Sequence, residues 1–282
     1  MEDKCKFMRE KILNEVKNEI KELGIEPKLA IIKCNDDYAS SVYVRNKIKT
    51  CESVGIKVKL FDLNPAETDY VILKNLIMKC NREFNGIILQ LPLAEHLKKY
   101  ETGLLNTIHP TCDIDGLTKV NKLKLIENDD EALIPCTAFA VFKIIEHELG
   151  TTDFSGKRVC IVNRSELIGK PLMNLLLNHN ATPTICHSKT AKNINDYLYN
   201  NEHDIVITGI GNHFIKEQTL WKTLIIDCGL TRGYDNKLLR DVIRCECCFG
   251  HKNTYYGAVG TVTTTCVAYN TLKAYKLQNG LD

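Results

Sequence analysis

Along the first ninety residues the apolar positions switch between helical and strand spacing. Phe7, Ile12, Leu13, Val16, Ile20 and Leu23 recur as on one packed helix face, so a helix is predicted over Lys6–Leu23. Gly24 follows as a C-cap candidate. Lys28–Lys33 reads as a buried strand, Asp36–Ser41 as a loop with N-cap residues, and Ser41–Val54 as a second helix stopping at Gly55. Ile56–Phe61 alternates as a strand, Asp69–Cys80 has helical spacing, and Gly86–Gln90 is a third strand, followed at once by Leu91-Pro92-Leu93. Helix and strand in strict alternation predict an α/β domain.

The pattern resumes after Pro135-Cys136-Thr137, which opens an apolar helix over Ala138–Leu149. Arg158–Val162 is a short apolar run, Asn163–Gly169 a polar connector, and Lys170–Asn178 a helix. Thr182–Cys186 is the next strand and ends at His187-Ser188. Strand, turn, helix, strand is a βαβ unit, whose first turn is where dinucleotide phosphates bind. Asp204–Thr208 and Leu224–Asp227 read as further strands, and Thr263–Lys276 as a last helix.

Composition narrows the class. The 282 residues, 44% hydrophobic and 26% charged, suffice for one large domain or two modest ones. A formal charge of +2 gives no electrostatic case for nucleic acid or an anionic membrane. No apolar run reaches the roughly 18 residues that span a bilayer. The charged amphipathic N-terminus lacks the apolar core of a signal peptide. Thirteen cysteines, odd in number and scattered, then suit reduced thiols in the cytoplasm better than a disulfide framework. Cys245, Cys247 and Cys248 cluster near His251, but their spacing matches no usual zinc finger or ribbon, so no metal is expected.

Candidate chemistry comes from four places. Tyr43 and Lys47, four apart, share a helix face. A Tyr-x-x-x-Lys pair also occurs in short-chain dehydrogenases, but there the phosphate loop precedes the pair, whereas here it follows by over a hundred residues. Gln90 ends a buried strand, at the edge where α/β proteins place ligands. Asp113-Ile114-Asp115-Gly116 lies in a turn after Pro110, and spacing alone does not choose between its carboxylates. Arg164 stands in the first βαβ loop, and the second strand ends without an acid, where an NAD site usually has one for the ribose hydroxyls.

Ser40-x-x-Tyr43-Val44-x-x-Lys47, Leu89-Gln90-Leu91-Pro92-Leu93, Asp113-Ile114-Asp115-Gly116 and Pro135-Cys136-Thr137 occur in that order. Arg164-Ser165-x-x-Ile168-Gly169-x-Pro171, Ala181-Thr182, Cys186-His187-Ser188-x-Thr190 and Gly257-x-Val259-Gly260 follow. As an ordered set they resemble the methylenetetrahydrofolate dehydrogenase/cyclohydrolase family over essentially the whole chain. The resemblance implies two α/β domains. A folate-binding catalytic domain spans 1–137 and is completed by a returning C-terminal helix, 264–282. A Rossmann-like NAD(P)-binding domain spans 138–263.

It also implies NADP-dependent oxidation of 5,10-methylenetetrahydrofolate to the methenyl cation, then hydrolysis to 10-formyltetrahydrofolate. Hydride transfer asks chiefly for alignment, whereas hydrolysis needs a proton-moving side chain. By similarity that group is Lys47, held by Gln90 and usable if partly desolvated. Tyr43 would stack on the aminobenzoyl ring, and Asp115 would accept from the pterin, being an acceptor-only group. Leu89, Leu91, Gly257, Val259 and Gly260 complete the folate contacts, with 257–260 expected as a covering loop. Asn163, Arg164, Ser165, Ser188 and Leu230 are the cofactor contacts, Arg164 and Ser188 suiting the extra phosphate of NADP. The family's common assembly is a homodimer.

Asn163 stands where the family usually has Gly, and its tolerance of left-handed backbone is expected to keep the turn. An Asn-Arg-Ser triplet also occurs in monofunctional relatives that use NAD. Ala138, Ala140, Thr261 and Asn212-His213 depart from the hinge and lid motifs. A monofunctional NAD-dependent dehydrogenase and a low-turnover folate- or nucleotide-binding protein therefore stand as alternatives.

Overall fold

The structure, a computed structural model, describes residues 2–190, 192–232, 238–244 and 253–281. The cluster of Cys245, Cys247, Cys248 and His251 lies outside the described residues. The chain forms two compact units. One comprises Arg9–Cys136 and Thr263–Asp282, the other Thr137–Val262 with the chain up to Met8. The first turns of the N-terminal helix, like Thr137, thus group with the second unit, unlike the rest of the span 1–137.

The order begins α1 (Glu2–Leu23), β1 (Lys28–Lys33), α2 (Tyr38–Glu52), β2 (Lys57–Asp62), α3 (Tyr70–Glu83) and β3 (Gly86–Gln90). Asp37 caps α2 by accepting from the Ala39 and Ser40 N–H groups, and Asp69 caps α3 through Ile72, so each helix starts where a short acid can satisfy its first donors. The three strands are parallel, in the order β2-β1-β3. Central β1 is buried beyond Lys28, while edge strand β2 is largely exposed. Ile32, Leu73, Ile77, Leu89 and Leu97 pack into one core. Two short helices, α4 (Glu101–Leu105) and α5 (Lys119–Ile126), follow.

The second unit is built from α6 (Cys136–Leu149), β4 (Arg158–Val162), α7 (Gly169–Asn178), β5 (Thr182–Cys186), α8 (Ile194–Asn200) and β6 (Ile205–Thr208). Then come β7 (Ile215–Lys216), β8 (Leu224–Asp227), β9 (Thr231–Arg232), β10 (Leu238–Leu239), β11 (Val242–Ile243) and β12 (Thr254–Tyr256). Five of these strands make a parallel sheet, β12-β8-β6-β4-β5. Its order reverses at β4, so the crevice beyond the carboxyl ends of β4 and β6 is a topological switch point, where such sheets bind ligands. This is a Rossmann-like arrangement, as expected. The edge strand β12 is too short and too flanked by polar residues to stand out in the sequence.

The last helix, α9, spans Val259–Asn279 and so starts earlier than expected. The expected loop 257–260 is therefore corrected to Gly257-Ala258. The Thr261 N–H donates to the Ala258 carbonyl, and Val259 and Val262 are buried, which draws the glycine-containing stretch into the helix's first turn. No helix among the described residues is long and apolar enough to cross a membrane.

Candidate functional site

At the carboxyl edge of the first sheet, three separate segments bring polar groups together. Lys47, on α2, donates from Nζ to Gln90 Oε1 at 3.1 Å, and its ammonium lies 3.6 Å from Asp115 Oδ2. The Lys47 and Asp115 side chains are 12% and 19% exposed, so both are covered yet reachable. Gln90 is held in turn, its amide donating to the Leu91 carbonyl at 2.8 Å. Tyr43, one helical turn before Lys47, is 46% exposed, leaving its ring open to stacking.

Sequence spacing leaves Asp113 and Asp115 equal, but packing separates them. Asp113 bridges in parallel to Ile87, continuing the sheet beyond β3. Its buried carboxylate accepts from the N–H groups of Leu117 (3.1 Å) and Thr118 (2.8 Å) and from the Asn121 amide (3.0 Å). Burial above all pushes the Asp113 carboxyl upward from its ordinary value. Asp115, two residues on, faces Lys47 instead. Gly116 makes the turn possible: its φ is +62°, and a Cβ there would come within 2.3 Å of the Leu133 carbonyl oxygen. The Cys136 thiol lies against Asp115, and burial holds it well above the usual thiol range, so it stays protonated there. Asn270 of α9 donates to the Ile114 and Ile134 carbonyls, both at 2.8 Å, tying this turn to the start of α6.

Not every expected folate contact presents a side chain. Leu89 is 2% and Val259 1% exposed; the first belongs to the core, so only their backbones can meet a ligand. A Cβ on Gly257 would lie 2.7 Å from the Tyr255 ring, and Gly260, inside α9, has open space around it.

In the second unit a cavity of about 770 Å³ opens at the switch point, within the size range of small-molecule sites. Asn163, Arg164 and Ser165 after β4 line it, with His187 and Ser188 after β5. Lys192, Gly209, Ile210, Asn212 and Phe214 also contribute, and no acidic residue is among the described lining residues. Arg164 and Lys192 make no ion pair among the described residues, so their charge is available to an anion. The His187 N–H donates to Thr190 Oγ1 at 2.9 Å, and His187 Nδ1 accepts from the Lys189 N–H at 3.1 Å, which folds the Ser188 turn. Leu230 does not line the cavity; its carbonyl faces Gly211, where a Cβ would stand 3.3 Å away.

Asn163 corrects an expectation. Its backbone is not left-handed; its side chain keeps the turn instead. Nδ2 donates to the Gly209 carbonyl at 2.6 Å, and Oδ1 accepts from the N–H groups of Ser165 (2.7 Å) and Gly169 (3.2 Å). The amide thus clamps the first loop of the βαβ unit to the end of β6. Gly169 has to be small, since a Cβ would sit 2.1 Å from the Asn163 carbonyl oxygen. Ser165 Oγ accepts from the Ile168 N–H at 3.1 Å, at the approach to α7. Sequence reading missed Lys192 and Phe214 in this wall, because nothing in their local pattern marks them, and met Asn212 only as a departure from a family motif; the folding-back of the chain after β5 and β6 brings all three in.

A two-unit α/β protein with a polar cluster on one sheet edge and a dinucleotide-type cavity on the other has close relatives. The family described as tetrahydrofolate dehydrogenase/cyclohydrolase matches twice: its catalytic domain over residues 4–115, and its NAD(P)-binding domain over residues 135–279. The bifunctional protein FolD of Bacillus pumilus is 36% identical over 277 residues, covering 96% of this chain and 95% of that protein. The bifunctional FolD methylenetetrahydrofolate dehydrogenase/cyclohydrolase of Campylobacter jejuni superposes with a TM-score of 0.85 at 30% identity, covering 97% and 98% of the two chains. The Trypanosoma brucei FolD enzyme, solved with NADP and an inhibitor, gives 0.81 at 28% identity, covering 98% and 95%. The chain belongs to the tetrahydrofolate dehydrogenase/cyclohydrolase family.

Proposed function

We propose that this chain oxidises 5,10-methylenetetrahydrofolate with NADP and hydrolyses the resulting methenyl compound to 10-formyltetrahydrofolate. The single observation that carries the reading is the Lys47–Gln90–Asp115 cluster. A monofunctional dehydrogenase has no need for an anchored amine beside an acceptor-only carboxylate, whereas hydrolysis needs a group that moves protons.

In the first step a hydride leaves the methylene carbon and the product is a cation delocalised over two folate nitrogens. NADP, when bound, supplies the hydride acceptor. Arg164 and Ser188, with Lys192 beside them, fit the ribose phosphate, and Asn163 and Ser165 shape the loop that receives the pyrophosphate. In the second step water adds to the methenyl carbon, one C–N bond breaks, and protons are redistributed. Lys47 Nζ is the group that relays them, and Gln90 keeps it at the reacting carbon. Asp115 accepts from the pterin amino and ring N–H groups, bidentate recognition that a carboxylate makes well. Tyr43 stacks on the aminobenzoyl ring. The backbones at Leu89 and Leu91 line the folate.

NADP is favoured over NAD because cations, and no acid among the described residues, line the cavity. Asn163 does not argue for NAD, since its amide is consumed by Gly209, Ser165 and Gly169. The test is to give purified protein methylenetetrahydrofolate with NADP or NAD and follow methenyl absorbance. Growth and decay with NADP is the expected outcome. Growth without decay would select the monofunctional dehydrogenase, and binding without spectral change a low-turnover binding protein. Assembly as a homodimer, carried over from the family resemblance, is checked by light scattering. A cytoplasmic location accords with the thirteen cysteines, ten of which are described and all free.

A further inference from the structure

Behind the cavity wall lie two carboxylates that the proposed chemistry does not use. Asp227 ends β8 and Asp241 immediately precedes β11; both are completely buried. Asp241 Oδ2 accepts from the Thr208 hydroxyl at 2.6 Å and from the Ile210 N–H at 2.7 Å, while Oδ1 accepts from the Asn212 N–H at 2.7 Å. Its main-chain carbonyl takes the N–H groups of Phe214 and Ile215, each at 3.0 Å. All five donors therefore lie in the segment 208–215. Of that segment, Gly209, Ile210, Asn212 and Phe214 line the cavity.

Asp227 anchors Asp241 in turn. It accepts from the N–H groups of Gly229 (2.9 Å), Asp241 (3.3 Å) and Val242 (2.9 Å), and from the Tyr255 hydroxyl (3.1 Å). The fit around Asp241 is close. A Cβ built on Gly229 would stand 2.0 Å from its carboxylate, so this glycine is required by space and not by a left-handed backbone. The segment leaving β6 has no strand of its own until β7, and its donors would otherwise lack protein partners. A carboxylate answers this need better than a neutral group, because it offers acceptors only and binds N–H donors strongly.

We propose that Asp241 is a positioning residue for the dinucleotide: it holds Ile210 and Asn212 in the shape of the cavity wall, and Gly229 admits it. This rests on the cavity being the NADP site, as argued above.

The test compares Asp241→Asn, Gly229→Ala and Thr208→Val with the unaltered protein. In Asp241→Asn one acceptor becomes a donor facing N–H groups. The Michaelis constant for NADP is expected to rise on the order of tenfold, the loss of one charge-assisted hydrogen bond. The turnover number at saturating NADP is expected to fall by less than about threefold. Gly229→Ala, which displaces the carboxylate, should reproduce this, and Thr208→Val should raise the constant by only a few-fold, on the order of one neutral hydrogen bond. Methenyl hydrolysis, which consumes no dinucleotide, reports on the fold. An unchanged constant in Asp241→Asn would overturn the proposal, as would parallel loss of hydrolysis and dehydrogenation. Should Asp241→Asn not fold, an unchanged constant in both other variants would overturn it equally. NADPH affinity from fluorescence titration gives the same comparison without catalysis. It therefore tests Asp241 even if the unaltered protein forms no methenyl product, an outcome that would instead defeat the proposed function.

Discussion

The carboxyl edges of the two sheets solve opposite problems. On the first, the cation is already engaged: Lys47 meets Gln90 and Asp115 before any ligand arrives. On the second, Arg164 and Lys192 line a cavity with no ion-pair partner among the described residues. A group that moves protons has to be held at a defined place, so its environment is built in advance. A group that binds an anion gains most when its charge is not yet satisfied, so the protein orders the loops beneath it. Asn163 and Asp241 do that ordering, each through a side chain hydrogen-bonded to the backbone of the loops.

The contrast is broken most directly at Lys47. Lys47→Met should reduce methenyl hydrolysis by about a hundredfold to ten-thousandfold, the usual span for removing an acid–base group. Dehydrogenase activity should fall less, and hydrolysis at the original rate in stopped-flow absorbance would remove Lys47 from the mechanism.

Asp113→Ala and Asp115→Ala separate support from contact. The first strands three buried donors and should lower stability by roughly 3 kcal/mol, seen in the midpoint of urea unfolding. The second should leave that midpoint nearly unchanged and raise the Michaelis constant for folate. The reverse pattern would exchange the roles of the two aspartates.

Arg164→Ala probes the unpaired edge. The Michaelis constant for NADP should rise about tenfold or more, and that for NAD by less than about twofold, because only NADP carries the extra phosphate. Equal effects on both cofactors would show that Arg164 does not read that phosphate.

The smallest effect is expected at Asn163. Asn163→Gly removes the clamp between two loops and should cost about 1 kcal/mol in thermal stability, while the ratio of NADP to NAD efficiency stays within about twofold. A swing in that ratio would restore Asn163 as a selector of the cofactor.

Much of this was legible in the chain, and the reasons are local. The spans Lys28–Lys33, Gly86–Gln90, Arg158–Val162 and Leu224–Asp227 are strands as read, because buried parallel strands are short apolar runs bounded by turn residues, and the more exposed edge strand Thr182–Cys186 is one as read through its β-branched residues. Helix starts were less sharp. Asp37 and Asp69 set them from outside the apolar pattern, and α9 began four residues early because Val259 found a buried place.

Sequence by itself determined the alternation of elements, the polar loop of the βαβ unit, and the shared face of Tyr43 and Lys47. Each depends on spacing within one element or one connection. Tertiary structure alone decided that Asp115 and not Asp113 meets Lys47, and that Leu89 is core. It also decided that Asn163 spends its amide on three backbone groups, and that Asp241 lies under the cavity wall. These are questions of which donors a buried polar group satisfies. The answers come from segments far apart in the chain, forty-six positions for Asn163 and Gly209 and more for Lys47 and Asp115, beyond the reach of any local period.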